Sequence, residues 1–346
     1  MSSGLKILEL TFDELRKVLH ARYGKGIYHA RAVYREVFQN GIQDLKNTAD
    51  FSNSRNFARV ITSDLEINAG ELIETKKENG TTKFITRLQD GHEIESVVIP
   101  MATHNTICVS SQVGCRFGCK FCQTGQMGFS RNLTTEEIIG QVYSAKFKLN
   151  LTARNVVFMG MGEPFDNFDN VIQAVRVLND QRGFNVALRY ITISTVGEIS
   201  AIQKLASLGM KRLRLSISLN ASNDHVRARI MPSQRISSMR NLQHALIDYS
   251  FSEKETFFIT YILIQNINDT FEDAIELAEY VKPIPSKINI IPYNPRSASP
   301  FESPSEEKVL QFCNWLAECG VFVRKRNPKG QDVMAACGQL GKIKES

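Results

Sequence analysis

Two periods of hydrophobicity run along this chain, and the change from one to the other divides it. Across residues 10–50 apolar side chains recur every three to four positions. LTFDELRKVLHARYG puts them on one helical face with Gly24 as the stop, and AVYREVFQNGIQDL repeats the arrangement. Residues 65–99 alternate apolar with polar residues, with turn residues at ENGT and QDGH, which predicts a three-stranded meander ending in IESVVIP. From about residue 104 nearly continuous apolar runs alternate with helical patterns. TICVSSQ, NVVFMG, RYITIST, RLRLSISLN, ETFFITYILI and KINIIPYN each precede a helical segment, near 134–148, 169–180, 198–208, 223–250, 270–281 and 305–319, and VFVRKR closes the series. Six βα units in sequence predict an α/β fold, a parallel sheet with helices outside it. Runs such as VVFM suit strands buried on both faces. Such a sheet either closes partly into an open barrel or is doubly wound, and in both cases ligands bind beyond the C-terminal strand ends. The expected division is an accessory unit of helices and meander over residues 1–100 and a βα unit over 101–346.

Composition changes this picture little. The chain has 346 residues, 42% apolar and 23% charged, as ordinary globular proteins do. It contains no run of about 18 apolar residues, so no membrane span is expected. The N-terminus MSSGLKILELTFDELRKVL has no basic n-region or apolar h-region, so the expected location is the cytoplasm. Thiols stay reduced there, and the seven cysteines are then core thiols, ligands or catalysts rather than a disulfide framework. A net charge of +6 is weak support for a nucleic-acid partner.

Three segments carry candidate chemistry. CVSSQVGCRFGCKFC holds Cys108 and then Cys115, Cys119 and Cys122 in C-x3-C-x2-C spacing. Three thiolates in one short loop can face a single point. A zinc ion would need a fourth ligand, such as His104 or a distant Cys folding back. An iron–sulfur cube held by three thiolates leaves one iron open, and Phe121 can shield it. Buried, unrelated cysteines are the third reading. GMGEP, Gly160 to Pro164, follows the strand NVVFM. Its glycines allow close backbone approach to a ligand and Glu163 can accept hydrogen bonds from an ammonium group, although a plain βα turn reads the same. AACGQL sets Cys337 among small residues, as an accessible thiol on a mobile segment or as an ordinary buried one.

The pattern C-x3-C-x-aromatic-C at a barrel strand's end resembles the signature of the radical SAM superfamily. CVSSQVGC, FCQTGQMGFSRNLTTEEIIGQV, FMGMGEP, ITISTVG, SISLNA, IPYNP and AACGQL follow the order and spacing of its RlmN/Cfr family of dual-specificity RNA methyltransferases. The resemblance covers about residues 95–341 and, more loosely, the N-terminal part. It implies a partial (β/α)6 radical SAM barrel with an N-terminal α+β accessory domain. It implies a [4Fe–4S] cluster on Cys115, Cys119 and Cys122, with the open iron taking S-adenosylmethionine as radical source and methyl donor. Gly162, Glu163, Ser194, Ser218, Leu219, Asn220 and Asn294 become contacts of S-adenosylmethionine. As isolated residues Ser194, Ser218, Asn220 and Asn294 read equally as caps or turn residues.

The implied substrate is an adenine of 23S ribosomal RNA or its assembly intermediate, with tRNA as a further candidate and C2 favoured over C8. Either carbon is electron-poor and cannot attack a methyl group, whereas a thiolate can. By resemblance Cys337 takes a methyl group, which a 5′-deoxyadenosyl radical then activates for addition to the adenine. Cys108 attacks the Cys337 sulfur, releasing methylated RNA and leaving a transient disulfide. Glu95, thirteen residues before Cys108, becomes a proton acceptor, where its plain reading is a solvent-facing strand residue. The resemblance also implies an electron-donor protein such as flavodoxin or ferredoxin, no membrane partner, and a monomer. Cys313 and Cys319 are expected to be packing residues.

Basic residues cluster at Lys211, Arg212 and Arg214, at Arg227 and Arg229, and at Arg324, Lys325, Arg326 and Lys329. Phosphate contact and a solvated face are the two readings. The N-terminal unit, with His29, Arg31 and Arg35, is the expected RNA-binding appendage, and the target base must leave its stack to reach the site. Two other classes stay open: a radical SAM enzyme that does not methylate RNA, and a zinc or RNA-binding protein without catalysis.

Overall fold

The computed structural model describes residues 4–253, 256–296 and 299–341. The chain opens with β1 (Leu5–Lys6), α1 (Phe12–Tyr23), α2 (Ile27–Phe38), α3 (Arg55–Asp64) and β2 (Leu65–Glu66), which pairs with β1 in parallel. A capping box between Thr11 and Glu14 starts α1. The expected stop, Gly24, ends it in the left-handed region at φ 62°. Leu15, Leu19, Val33, Val37 and Ile61 bury the inner faces of these helices.

The meander follows as β3 (Glu71–Glu78), β4 (Thr81–Arg87) and β5 (Glu93–Pro100), antiparallel throughout. It is not separate from what comes next. β5 pairs antiparallel with β6 (Asn105–Val109), the first barrel strand, with Val97 opposite Cys108. The loop beyond β6 folds back as a hairpin of β7 (Gln112–Gly114) and β8 (Phe129–Asn132), with the one-turn α4 (Gln123–Gln126) between them. This hairpin is a finding for which the sequence carried no signal.

The βα series then runs α5 (Thr135–Tyr143), β9 (Asn155–Phe158), α6 (Phe168–Asn179), β10 (Ile191–Thr195), α7 (Ile199–Ser207), β11 (Arg214–Ser218), α8 (Asp224–Ile230), α9 (Met239–Glu253), β12 (Phe257–Leu263), α10 (Phe271–Val281), β13 (Ser286–Pro292), α11 (Glu306–Glu318) and β14 (Val323–Lys325). A π-helical turn over Ser144–Lys148 extends α5. Among the described residues the main sheet has ten strands in the order β14-β13-β12-β11-β10-β9-β6-β5-β4-β3. From β6 to β14 every neighbour is parallel and the order is sequential. A doubly wound sheet reverses its order at a switch point. This sheet has no reversal, so the fold is the partial barrel, with the antiparallel meander continuing one edge. No helix among the described residues is long and apolar enough to cross a membrane.

Candidate active site

The loop after β6 is held by backbone contacts that leave no room for side chains at key glycines. A Cβ on Gly125 would stand 2.8 Å from the Cys119 carbonyl oxygen. One on Gly160 would stand 2.7 Å from the Val109 carbonyl carbon. Cys115 N–H donates to Gly128 (2.7 Å), Cys122 N–H to Cys119 (3.0 Å) and Lys120 N–H to Ile230 at the end of α8 (2.9 Å). Cys119 is buried with Phe117, Phe121, Ile230 and Met231, so Phe121 shields the loop as expected. Cys115 and Cys122 are half-buried, and all three are free thiols that feel one another electrostatically. Burial pushes Cys115 up to about 12 and Cys119 well above its ordinary value.

No three His, Cys, Asp or Glu side chains among the described residues are grouped to hold a single metal ion. A closed zinc cage would bring four ligands within about 4 Å of one another. His104 is no fourth ligand: it sits before β6, at the opposite end of the strands, beside Arg154 and Asn155 (3.0 and 3.1 Å). Three thiols with no fourth donor fit an iron–sulfur cube with one iron open.

Glu163 lies in the next strand-end loop. Its backbone N–H donates to Gln112 Oε1 (2.8 Å), and its carboxylate accepts from Phe165 N–H (3.0 Å) and Val196 N–H (2.9 Å). Burial raises it to about 7. The geometry needs Gly162, at φ 96°, because a Cβ there would stand 2.4 Å from Gln112 Cβ. Ser194 and Ser218 share a hydrogen bond of 3.2 Å across β10 and β11. Leu219 N–H donates to Thr260 O (3.1 Å). Asn220, at φ 61°, is committed inward: its Oδ1 accepts from Ile262 N–H (3.0 Å) and its carbonyl from Asn268 Nδ2 (2.8 Å). Gln112, Asn268 and Gln141 were not singled out from sequence. Gln141, buried, brackets both backbone groups of Ser110 (2.8 and 2.9 Å). Only Gln141, a polar residue within the apolar run IIGQV, carries a signal in the sequence.

Cys108 and Cys337 line the same barrel cavity, about 380 Å³, with Asn294, Arg326 and Lys329 on its wall. Cys108 is buried and pushed up to about 12 by burial and then by Cys337. Met159 N–H donates to its sulfur. Cys337 is exposed only in the sense that it faces this cavity; protein surrounds it densely, and burial raises it, with Cys122 adding to the rise. The segment carrying it is not loose. Asn294 Nδ2 donates to Cys337 O (3.0 Å), Gln123 N–H to Gly338 O (2.7 Å), Gln339 Nε2 to Pro295 O (2.9 Å) and Thr124 Oγ1 to Leu340 O (2.6 Å).

Glu95 is not the solvent-facing residue of its plain reading. It is 3% exposed and paired with Lys83 (2.7 Å), and it accepts Gly341 N–H (2.9 Å). It faces a second cavity of about 890 Å³, with Val113, Gln126 and Met127, rather than the one that holds the two cysteines.

Several basic residues are corrected. Arg227 is 2% exposed and offers nothing to solvent phosphates. Arg326 turns into the barrel cavity, donating from Nε to Asn289 Oδ1 (2.9 Å). Lys325 pairs with Glu306, and Arg35 with Asp50 and Glu36. Arg31, Lys211 and Arg229 remain at the surface. Cys313 is half-buried against the core, whereas Cys319 is exposed and packs nothing.

Comparison with known proteins agrees with this geometry. Residues 109–278 match the radical SAM superfamily. A probable dual-specificity RNA methyltransferase RlmN 1 from Protochlamydia amoebophila is 40% identical, over 98% of this chain and 94% of its own length. A dual-specificity RNA methyltransferase RlmN from Geobacter sulfurreducens is 37% identical over 99% and 94%. The crystal structure of a radical SAM methyltransferase from Sphaerobacter thermophilus superposes with a TM-score of 0.89 at 33% identity, covering 97% of this chain and 99% of that one. The three-thiol loop, the glycine-bound Glu163 and the barrel that carries them thus sit in a chain that belongs to the radical SAM superfamily and, within it, to the RlmN family of dual-specificity RNA methyltransferases.

Proposed function

We propose that this chain methylates an adenine carbon of RNA, C2 in preference to C8, with Cys337 as methyl carrier, Cys108 as resolving thiol and Glu95 as proton acceptor. The substrate we infer is 23S ribosomal RNA or its assembly intermediate, with tRNA as a second candidate. The observation that carries this reading is the cavity shared by Cys108 and Cys337. The two thiols come from the first barrel strand and from a segment beyond the last one, and neither belongs to the cluster loop. Cluster chemistry alone needs neither of them, so their common cavity argues against a radical SAM enzyme that does no methyl transfer.

When bound, a cluster on Cys115, Cys119 and Cys122 supplies one-electron cleavage of S-adenosylmethionine, with the electron coming from a donor protein such as flavodoxin or ferredoxin. Glu163 is suited to the ligand's ammonium group, because a cation there offsets the burial that raises its carboxyl. Ser194, Ser218 and the Leu219 carbonyl offer polar atoms at neighbouring strand ends. Asn220's side chain keeps that rim in shape. Asn294 presents Cys337 through its carbonyl. As a thiolate Cys337 takes the methyl group; once that carbon is bonded to the adenine, Cys108 attacks the Cys337 sulfur, the sulfur–sulfur bond forms as the carbon–sulfur bond breaks, and the released electron pair stays with the adenine-bound carbon, which takes up a proton to become the methyl group. Glu95 enters this proposal from the resemblance alone, since its carboxylate is paired with Lys83 and Gly341 and faces the neighbouring cavity. A reducing compartment, the cytoplasm, restores both thiols.

The test is methylation of RNA with S-adenosylmethionine carrying a deuterated methyl group, followed by nucleoside mass spectrometry. Methyladenosine labelled on carbon is expected with the wild type and none with Cys337→Ala at equal iron content. Label persisting in the Cys337→Ala reaction would contradict the reading.

A further inference from the structure

Arg227 is the largest fully buried side chain among the described residues, and its surroundings are unlike those of an ordinary buried cation. Burying a charge is expensive unless an opposite charge compensates it. No carboxylate of the described residues forms an ion pair with it. It donates from Nη1 to Ser237 O (3.2 Å) and from Nη2 to Val196 O (2.6 Å), both neutral carbonyls. Its Nε is buried with no partner at all. Two carbonyls can be bridged by a neutral amide without burying a charge, so bridging does not explain a guanidinium here.

What lies beside it does. Arg227 feels Tyr280 and Asp224 first and then Cys119, and it favours the Cys119 thiolate in turn. The end of α8 is clamped to the thiol loop by Lys120 N–H to Ile230 O (2.9 Å), and Ile230 and Met231 pack with Phe117, Cys119 and Phe121. The Val196 peptide whose carbonyl takes Arg227 gives its N–H to Glu163. One buried cation thus stands on the Cys119 side of the thiol loop, where Val196 packs with Cys119, and shares the Val196 peptide with the carboxylate proposed for S-adenosylmethionine.

We propose that Arg227 is a fixed buried cation that sets the reduction potential of the cluster held by Cys115, Cys119 and Cys122. The inference rests on the cluster reading above. One electron from an external one-electron donor adds one negative charge to the thiolate-bound cluster, and a cation at short range in a dry site stabilises the reduced form more than the oxidised one. Net charge is one of the levers that place such potentials. Arg227 is a positioning and tuning residue, acting through charge rather than contact with substrate.

The test uses full-length protein reconstituted anaerobically with iron and sulfide, and a redox titration followed by electron paramagnetic resonance. Arg227→Gln and Arg227→Met are expected to lower the equilibrium constant for reduction about tenfold or more, that is by about 59 mV or more toward negative potential. Arg227→Lys, which keeps the charge and loses the two-pronged geometry, is expected to stay near the wild type. Clusters that load only in the wild type and the Lys variant also support the proposal. Iron-loaded Gln or Met protein with an unchanged potential overturns it, and so does loss of the cluster from all three variants, which marks a packing role only. A wild type that takes up no iron sinks the cluster reading itself, an outcome read from iron content rather than potential.

Discussion

The thiol loop and the Cys337 segment are both cysteine-bearing loops at the same end of the barrel, and they are built in opposite ways. The loop is mostly local. Cys115 is tied to Gly128, Cys122 to Cys119, and Gln126 to Cys119 (3.2 Å), with α8 and, through Gln123 and Thr124, the Cys337 segment as outside anchors. The segment from Lys329 to Gly341 makes short turns of its own, Met334 N–H to Gln331 O, Ala335 N–H to Gly330 O and Gln339 N–H to Ala336 O, but its ties to the rest of the molecule are distant ones. Lys329 Nζ reaches Pro100 O, Asp332 N–H reaches Glu78, Lys83 Nζ reaches Met334 O and Gly341 N–H reaches Glu95, across sequence separations of 229, 254, 251 and 246. A metal-binding group needs thiols whose relative positions survive its absence, and a short loop provides that. A carrier thiol must change partners, and a strap secured by separable polar contacts allows it.

The sharpest way to break this comparison is to remove one thiol from each region. Cys119→Ala is expected to lose most of its bound iron and its visible absorbance, whereas Cys337→Ala keeps both. Equal iron loss in the two variants would show that the regions are one site. Next in size is the clamp beneath the strap. Lys83→Met leaves Glu95 buried without its counter-charge, an expected loss of about 3–5 kcal/mol in urea unfolding. Amide hydrogen exchange should rise in residues 329–341 and at Gln123, whose N–H donates to Gly338 O, and stay unchanged at Cys115 and Cys122, whose N–H groups are bonded within the loop. A rise at Cys115 and Cys122 as well would contradict the local construction of the loop.

A pH effect separates Glu163 from either region. Its carboxyl is raised from an ordinary 4.5 to about 7 by burial. The folded state then holds a proton that the unfolded state has lost, so apo-protein stability is fullest below about 4.5 and falls as pH rises toward 7. The wild type is expected to lose up to about 3 kcal/mol over that window relative to Glu163→Gln. Parallel melting-temperature profiles for the two proteins would refute this assignment. The smallest effect is expected for Asn294→Ala. It removes two hydrogen bonds to the Cys337 segment, one to the Cys337 carbonyl and one from Gln331 Nε2, about 1 kcal/mol each, and should slow RNA methylation several-fold with iron content unchanged.

The barrel was legible because a strand buried on both faces must be an apolar run and a helix outside it must be amphipathic. RYITIST and FFITYILI therefore stand out, as β10 and β12. The three-thiol spacing and GMGEP were legible because their residue types stand together in short stretches of sequence, although Glu163 finds its partners in Gln112 and Val196. Glu95 was not. TTKFIT in β4 reads as a strand with one wet face, yet every residue from Thr81 to Thr86 is buried. Phe84 faces the core, and the strap covers the other side, where a Cβ on Gly330 would stand 3.0 Å from Thr81 Cγ2. A cover that arrives from some 250 positions downstream leaves no mark on local periodicity. Arg227 was misread for a similar reason. Its partners are backbone carbonyls, which no residue type announces, so it looked like one more surface charge beside Arg229.

The exchange between the two cysteines is the central claim, and blocking its second half tests it most directly. Cys108→Ala protein, loaded with its cluster and supplied with S-adenosylmethionine and RNA, should accumulate RNA covalently attached to Cys337, seen by mass spectrometry of the tryptic peptide that contains it. An active, iron-loaded Cys108→Ala protein with an unmodified Cys337 and no attached RNA would contradict the account.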